Sequence, residues 1–470
     1  MNGVPDYLEA WITTQRWYAG KSRAPRFEII GGFRLDGETD AVIQVLLVLD
    51  HAEHPLLYQV PLTERTAPLA GAEHALVATL EGDTGTSYVY DGPHDPAYAR
   101  ALLRLILHDG NALAADGSGL VAAHGHHDPS GAGTAVQSSR VLGGEQSNTS
   151  IIYEMRNSDG QPSSPVICKI FRALHDGDNP DVVLTGALRA AGSAIVPRVI
   201  GHLVGQWRDT GKLHGLATGH LAFAQEFLPG GEDGWRIALR AADAGENFGE
   251  GFSEDFSKQA GVLGEIAAEM HETLAAALPC REANPADIAA AMSSMRHRFE
   301  LAVREVPALA VHRLALDEVY RRAAASPWPP LQRIHGDFHL GQVLAVPGRG
   351  WVVLDFEGEP LRPMSERVKP DIPLRDVAGM LRSFDYVAGS FALAHPGLSA
   401  SWWASACRRA FIDGYIARSG RDLRANRALL DAFEIDKALY ETVYEARNRP
   451  SWLSIPTEAI TRLVERAALA

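Results

Sequence analysis

The chain is poor in cysteine. It has three in 470 residues, Cys168, Cys280 and Cys407, with no CxxC spacing and one left over from any pairing. A disulfide framework is thereby excluded, and the thiols read as free in a reducing cytosol. Long apolar runs are also missing, and no stretch approaches the roughly 20 residues needed to span a bilayer. Met1 to Ala10 carries Asp6 and Glu9 without a basic region leading into an apolar run, so no signal peptide is expected. Positive charge is in deficit, with 44 Lys and Arg against 58 Asp and Glu and a formal net charge of −14. That balance argues against a general nucleic-acid binder, which must neutralise phosphates with a basic face. A local basic pocket for a small phosphorylated ligand stays open. No P-loop of the form GxxxxGK[ST] is present.

What is there describes a globular chain. At 46% hydrophobic and 22% charged residues, it has length for a large core in two or three folding units. Asp6 to Gln15 reads as a short helix that enters a turn, Arg16 to Lys21, whose aromatics Trp17 and Tyr18 suggest a local hydrophobic anchor. Strands are expected at Phe27–Leu35, Ala41–Leu49 and Leu56–Leu62 as an antiparallel meander. Pro96 to His108 reads as an amphipathic helix. Asp109 to Ala135, rich in Gly, Ala, Ser and Asp, reads as a linker, and its His124, His126 and His127 as solvated loop histidines.

Past the linker, a turn of small residues from Leu142 to Ser150 precedes a strand. Such a turn can lay backbone N–H groups against phosphate oxygens, or be a plain hairpin. The next strand, Pro165–Phe171, is apolar except for Lys169. A lysine within a buried strand is costly unless its ammonium meets an anion, and a nucleotide phosphate is one such partner; an edge strand with a snorkelling lysine is the other explanation. Gln225, Glu226 and Phe227 end a strand before Pro229, where backbone groups could meet a purine edge. Helices are expected at Asp255–Leu274, Leu374–Ala388, Trp402–Ile416 and Ala425–Arg447, with His271 structural.

The densest polar stretch is Ile334 to Glu359. His335, Gly336 and Asp337 lead through His339 and Gln342 to a short strand around Trp351–Leu354, and then to Asp355 and Glu357. Two acids and an amide brought together in this way suit a divalent cation and a proton acceptor.

These residues carry a resemblance. IHGDFHLGQVL at Ile334–Leu344 and LDFEGEP at Leu354–Pro360 resemble the aminoglycoside phosphotransferase and choline kinase group. WYAGK at Trp17–Lys21, GEQSNTS at Gly144–Ser150, PLRDVAGMLRSFDY at Pro373–Tyr386 and YEARNRPSWL at Tyr444–Leu453 look like actinobacterial maltokinases within that group. The resemblance implies an α+β, two-lobed protein-kinase-like fold with an extra amino-terminal cap domain and a mainly helical C-terminal lobe. The implied divisions are a cap at 1–108, a linker at 109–135, a nucleotide-binding lobe at 136–230 and a helical lobe at 231–470.

Carried over residue by residue, the resemblance makes Asp337 the base that accepts the sugar hydroxyl proton, and Gln342 with Asp355 the ligands of Mg2+. Gln342 stands where most of the group has asparagine. Lys169 would pair with the phosphates of ATP beneath the loop that includes Gly144, Gln146, Ser147, Asn148 and Thr149, with Gln225, Glu226 and Phe227 beside the base. His339, Glu357, Arg375, Asp376, Arg382, Glu441, Tyr444, Glu445 and Trp452 are the sugar-pocket set, of which about half are expected to touch ligand. For Glu357 three readings stay open: the sugar, a second cation, or Arg362. One departure stands out. The helix after Lys169 has Asp181 where the group supplies a glutamate, so either Asp181 or a residue elsewhere orients the lysine.

The implied activity is ATP-dependent phosphorylation of maltose to maltose 1-phosphate in the cytoplasm, feeding glycogen or α-glucan synthesis, with trehalose synthase as a partner. Glucosamine kinase is the alternative. A silent kinase-fold scaffold is an alternative of another class, and the joint presence of Asp337, Gln342, Asp355 and Lys169 speaks against it.

Overall fold

The β-branched and aromatic residues of the amino-terminal third pair as antiparallel strands because neighbouring runs can bury one face while turns of Gly, Asp and Pro reverse the chain. The computed structural model describes residues 3–21, 23–37, 40–52, 55–83, 85–129, 135–143, 147–209, 211–212, 214–248, 253–360 and 362–468. The chain forms two compact units, 1–183 with 197–229, and 184–196 with 230–470.

In the first unit a helix α1 (Asp6–Thr14) precedes strands β1 (Phe27–Leu35), β2 (Ala41–Asp50) and β3 (Leu56–Arg65). These follow the expected meander. Two further strands, β4 (Leu76–Gly82) and β5 (Gly85–Asp91), extend the sheet in the order β1-β2-β3-β5-β4. Trp17 and Tyr18 are buried against Val48, Tyr58 and Val60, which is the anchor the sequence suggests. Helix α2 (Pro96–Leu107) starts on Asp95, whose carboxylate accepts the Ala97 N–H and is clamped by Arg65. Its Leu102, Leu103 and Ile106 are fully buried, worth roughly 1.5–3 kcal/mol each.

The linker expectation is corrected here. Residues 109–135 contain β6 (Asn111–Leu113) and β7 (Val121–His127), members of a seven-stranded sheet with β8 (Ala135–Val141), β9 (Asn148–Arg156), β10 (Pro162–Phe171), β12 (Val199–Arg208) and β13 (Leu216–Glu226). The two-residue β11 (Ala173–Leu174) pairs with β3 instead. Small residues hid β7 because Gly125 and Ala123 are needed where the sheet meets α2: a Cβ at Gly125 would collide with the Leu105 carbonyl. The histidines therefore stand on a strand, where His124 meets Asn111 and the His126 ring stacks on His202 of β12 at 4.7 Å.

The boundary between units falls inside α3 (Pro180–Ala190). The second unit has a small sheet of β14 (Glu232–Asp233), β15 (Val343–Val346) and β16 (Gly350–Val353). The rest is helical: α4 (Gly234–Phe248), α5 (Ser253–Ala277), α6 (Pro285–Glu305), α7 (Arg313–Ala325), α8 (Met364–Arg367), α9 (Leu374–Ala394), α10 (Ser401–Ser419), α11 (Arg427–Asn448) and α12 (Ser454–Ala468). Helices α5 and α10 pack at backbone contact, since a Cβ on Gly264 would meet the Phe411 carbonyl. Among the described residues no helix is long and apolar enough to cross a membrane.

Candidate active site

In the second unit, Ile334–Gln342 is a loop with little secondary structure, so its backbone must be held from outside. Asp376, in the first turn of α9, accepts the N–H groups of His335 and Gly336, each at 2.8 Å. His271 of α5 donates to the same carboxylate at 3.0 Å, and its other ring nitrogen faces the Tyr415 hydroxyl. Burial works against the charged form of Asp376, but these bonds hold its carboxyl below the ordinary value. Ser383 accepts the Leu340 N–H. Helix α9 comes so close that a Cβ on Gly379 would lie 2.6 Å from the Phe338 carbonyl oxygen. His335 accepts the Asp337 N–H on Nδ1 at 3.3 Å, which leaves Nε2–H to donate to Leu354 at 2.9 Å. The imidazole thus ties the loop to the end of β16.

At that end Asp355 adopts φ +61°, a left-handed conformation that Asp tolerates better than most residues but that stores some strain. Gln342 Nε2 donates to Asp355 Oδ2 at 3.3 Å. With the amide turned over, the pair presents a carboxylate and an amide oxygen, hard donors that fit a divalent cation. The Glu357 carboxylate lies within 4.8 Å of that of Asp355, and its carbonyl accepts from Arg367. Arg362, one of the three readings for Glu357, meets Glu366 and Asp371.

Asp337 faces a cavity of about 350 Å³ lined also by Trp235, His339, Gly341, Ser383, Tyr386, Lys437, Tyr440, Glu441, Tyr444, Glu445, Arg449 and Trp452. Its wall is aromatic: Tyr386 stacks on Trp452 at 6.4 Å and Trp235 approaches Trp452 at 6.5 Å. Arg449 lies 4.6 Å over Trp452 and binds Glu445. His339, Glu441, Tyr444, Glu445 and Trp452 are thus brought to the cavity with Asp337. Burial holds the His339 imidazole below its usual pKa, with Asp337 partly offsetting.

Three residues of the expected sugar-pocket set serve the scaffold instead. Asp376 holds the loop from below. Arg375 binds Asp371 at 2.7 Å and Asp436 at 3.2 Å. Arg382 is fully buried and paired with Glu441 at 2.7 Å and Asp385 at 2.9 Å. Each lies on α9, where sequence spacing cannot tell a ligand-facing side chain from one that faces a neighbouring helix.

Lys437 is the residue that sequence reasoning missed. From α11 its ammonium reaches Asp337 Oδ1 and Glu359 Oε1, both at 2.8 Å. Burial works against this charge, but the two carboxylates outweigh it and raise the lysine pKa. A lysine among the apolar residues of α11, one turn before Glu441, was the available signal.

In the first unit, β10 lies between β9 and β13, so the edge-strand explanation for Lys169 fails. Its ammonium meets Asp181 at 2.8 Å, which answers the question of what orients it. Asp181 stands in the first turn of α3, where the helix dipole favours an acid. Of the turn before β9, Leu142, Gly143 and the residues from Ser147 onward are described, and Gly144 and Gln146 lie outside the described residues. Asn148 pairs with Phe171 in the β9–β10 ladder, and the Thr149 hydroxyl accepts from the buried Arg172 at 2.9 Å. Arg172 also binds Asp91 and faces the Trp17 ring at 5.1 Å. Gln225 pairs with Ile167 and Val199, Glu226 meets Arg198, and the Phe227 N–H already donates to the Pro165 carbonyl. That N–H is committed within the unit.

Residues 11–95 match the maltokinase N-terminal cap domain, and residues 187–429 the phosphotransferase enzyme family. A glucosamine kinase of Streptacidiphilus jiangxiensis is 32% identical over 258 residues, 52% of this chain. The matched stretch spans 58% of that enzyme, less than two thirds of its length. A glucosamine kinase of Mycolicibacterium smegmatis is 28% identical over 346 residues, covering 71% of this chain and 82% of that one. Among solved structures, a glucosamine kinase in complex with glucosamine, ADP and inorganic phosphate superposes with a TM-score of 0.67 at 23% identity, covering 98% and 99% of the two chains. The fold is therefore the α+β, kinase-like one, with an amino-terminal cap and a mainly helical carboxy-terminal part. The chain belongs to the phosphotransferase enzyme family.

Proposed function

We propose that this chain is an ATP-dependent sugar kinase that phosphorylates the anomeric hydroxyl of maltose, giving maltose 1-phosphate and ADP. The observation that carries the reading is Asp337 lining an aromatic-walled cavity, a combination of proton acceptor and ring-stacking surface that suits a sugar. The maltokinase-type cap favours maltose.

In the transfer step the sugar hydroxyl gives its proton to Asp337 Oδ2 while its oxygen bonds to the γ-phosphorus of ATP. The bond from that phosphorus to the bridging oxygen breaks, and the electron pair leaves with ADP. Lys169, aimed by Asp181, supplies positive charge for the nucleotide phosphates. Gln342 and Asp355 would hold Mg2+, whose chemistry is to neutralise phosphate charge. The Asp376 clasp keeps Asp337 in place, so less of the barrier is spent on ordering. The same reading has residues 1–108 as cap, 136–230 as the nucleotide-binding part and 231–470 as the sugar-binding part. It places the enzyme in the cytoplasm, in α-glucan synthesis, with trehalose synthase as partner.

The relatives named glucosamine kinase support a second reading, phosphorylation of glucosamine to glucosamine 6-phosphate. Turnover with ATP and Mg2+ on each sugar, with phosphorus NMR of the product, separates the two. An anomeric phosphate on maltose is expected, and activity on glucosamine alone overturns the first reading.

A further inference from the structure

We propose that Lys437 determines the charge of the sugar this site accepts, admitting neutral sugars and excluding those that carry an ammonium group. The proposal rests on the sugar-kinase reading above and concerns a residue that reading does not use. Three acids line the cavity, and each already faces a cation of the chain. Asp337 Oδ1 is held by Lys437 at 2.8 Å. Glu441 is held by Arg382 at 2.7 Å, and Glu445 by Arg449 and the Tyr386 hydroxyl. An ammonium on the sugar would bring a further cation into a partly desolvated pocket whose carboxylates are each already shared with a cation of the chain. Like charges in such surroundings repel strongly. A neutral polyol makes no such demand, since it can share the lone pairs these carboxylates retain.

Lys437 is the cation best placed to act on the reacting end. Its Nζ is the partner of the base itself, and it lies 4.9 Å over the Tyr440 ring, which also lines the cavity. Its second bond, to the buried Glu359, fixes the ammonium against displacement, and Arg298 stands 3.9 Å from the other Glu359 oxygen. With Oδ1 committed, Oδ2 of Asp337, 3.8 Å from His339 Nε2, is the oxygen left to take the hydroxyl proton. Lys437 is thus a positioning residue for Asp337 and the source of the charge that discriminates.

The test is steady-state kinetics with ATP and Mg2+ on maltose, glucose and glucosamine for the wild type, Lys437→Gln and Lys437→Arg. Because Lys437→Gln leaves Glu359 without its partner, Lys437→Gln with Glu359→Gln is included, and thermal melts confirm folding. For Lys437→Gln we expect maltose kcat to fall at least tenfold with KM changed less than threefold. The ratio of kcat/KM for neutral sugar over glucosamine should also fall at least tenfold, with Lys437→Arg restoring most of both. A folded double variant with the wild-type ratio overturns the proposal, as does a Lys437→Arg no better than Lys437→Gln. Wild-type turnover of glucose but neither maltose nor glucosamine would overturn maltose while upholding the role of Lys437. A wild-type preference for glucosamine overturns both.

Discussion

Lys169 in the first unit and Lys437 in the second each bring an ammonium within 2.8 Å of a carboxylate, but by opposite routes. Lys169 finds Asp181 twelve residues onward, where a strand ends and a helix begins. Lys437 finds Asp337 one hundred residues away and Glu359 seventy-eight away, and only because α11 docks beside the loop. A pair made of near neighbours survives wherever one strand and one helix start survive. A pair made across the unit exists only when the whole helical core is assembled, so it reports on that assembly. The buried arginines show that neither unit keeps to one route. Arg172 in the first reaches Asp91 and Thr149 on two other strands, and Arg382 in the second reaches both Asp385 one turn along its own helix and Glu441 on α11.

The contrast can be broken in four ways. Asp337→Asn keeps the shape of the loop but removes the proton acceptor, and should lower kcat about 10³-fold without unfolding the chain. Phosphate-transfer assays beside a thermal melt check this. Next, Arg172→Met leaves the Asp91 carboxylate buried and unpaired, at about 3–5 kcal/mol. Chemical unfolding should show that loss, and a loss under 1 kcal/mol would mean that Asp91 finds water or another partner.

Lys169→Met should then reduce kcat/KM for ATP about a hundredfold, by analogy with the loss of one preorganised donor. Asp181→Asn, which only releases the lysine, should cost about tenfold, the worth of a charge-assisted hydrogen bond. Equal losses in the two variants would show that Asp181 acts on the nucleotide directly.

The smallest effect concerns acid. Burial, then the neighbouring His220, His126 and His124, lower the His202 pKa from 6.5 to about 4. The unfolded chain therefore takes up the proton first, so stability holds above pH 6.5 and declines from there towards pH 4. At pH 5.5 the loss is about 1 kcal/mol after allowance for partial exposure of the ring. Asp109 and Asp178 raise the pKa of the neighbouring His126 and His220 against the lowering that burial imposes on those rings. In the second unit the sign is the same but the window lies lower. Glu434 is held at about 2 by Arg408 and Arg466 against the cost of burial, so its contribution is present above its ordinary value of 4.5 and is lost only as pH falls towards 2. Unfolding at pH 7.5 and 5.5 should loosen the first unit before the second, and His202→Phe should abolish the difference.

Much of the architecture can be read from local pattern. The meander β1–β3, helix α2 and helices α9 to α11 follow from residue periodicity, because alternation and helical spacing are short-range properties. The dense run from His335 to Glu357 marks the site for the same reason, since its polar groups are close in sequence. The sheet through residues 109–135 was hidden by small side chains whose value lies in close approach to α2. Arg375, Asp376 and Arg382 looked like ligand residues because charge on a helix carries no label for which face is turned to solvent. Lys437 showed locally only as a lysine among apolar residues, since nothing near position 437 indicates that Asp337 waits across the fold. Local spacing settles which residues can do chemistry; the docking of α9 and α11 settles which of them meet, because burial forces each charge to find its partner at whatever distance along the chain that partner lies.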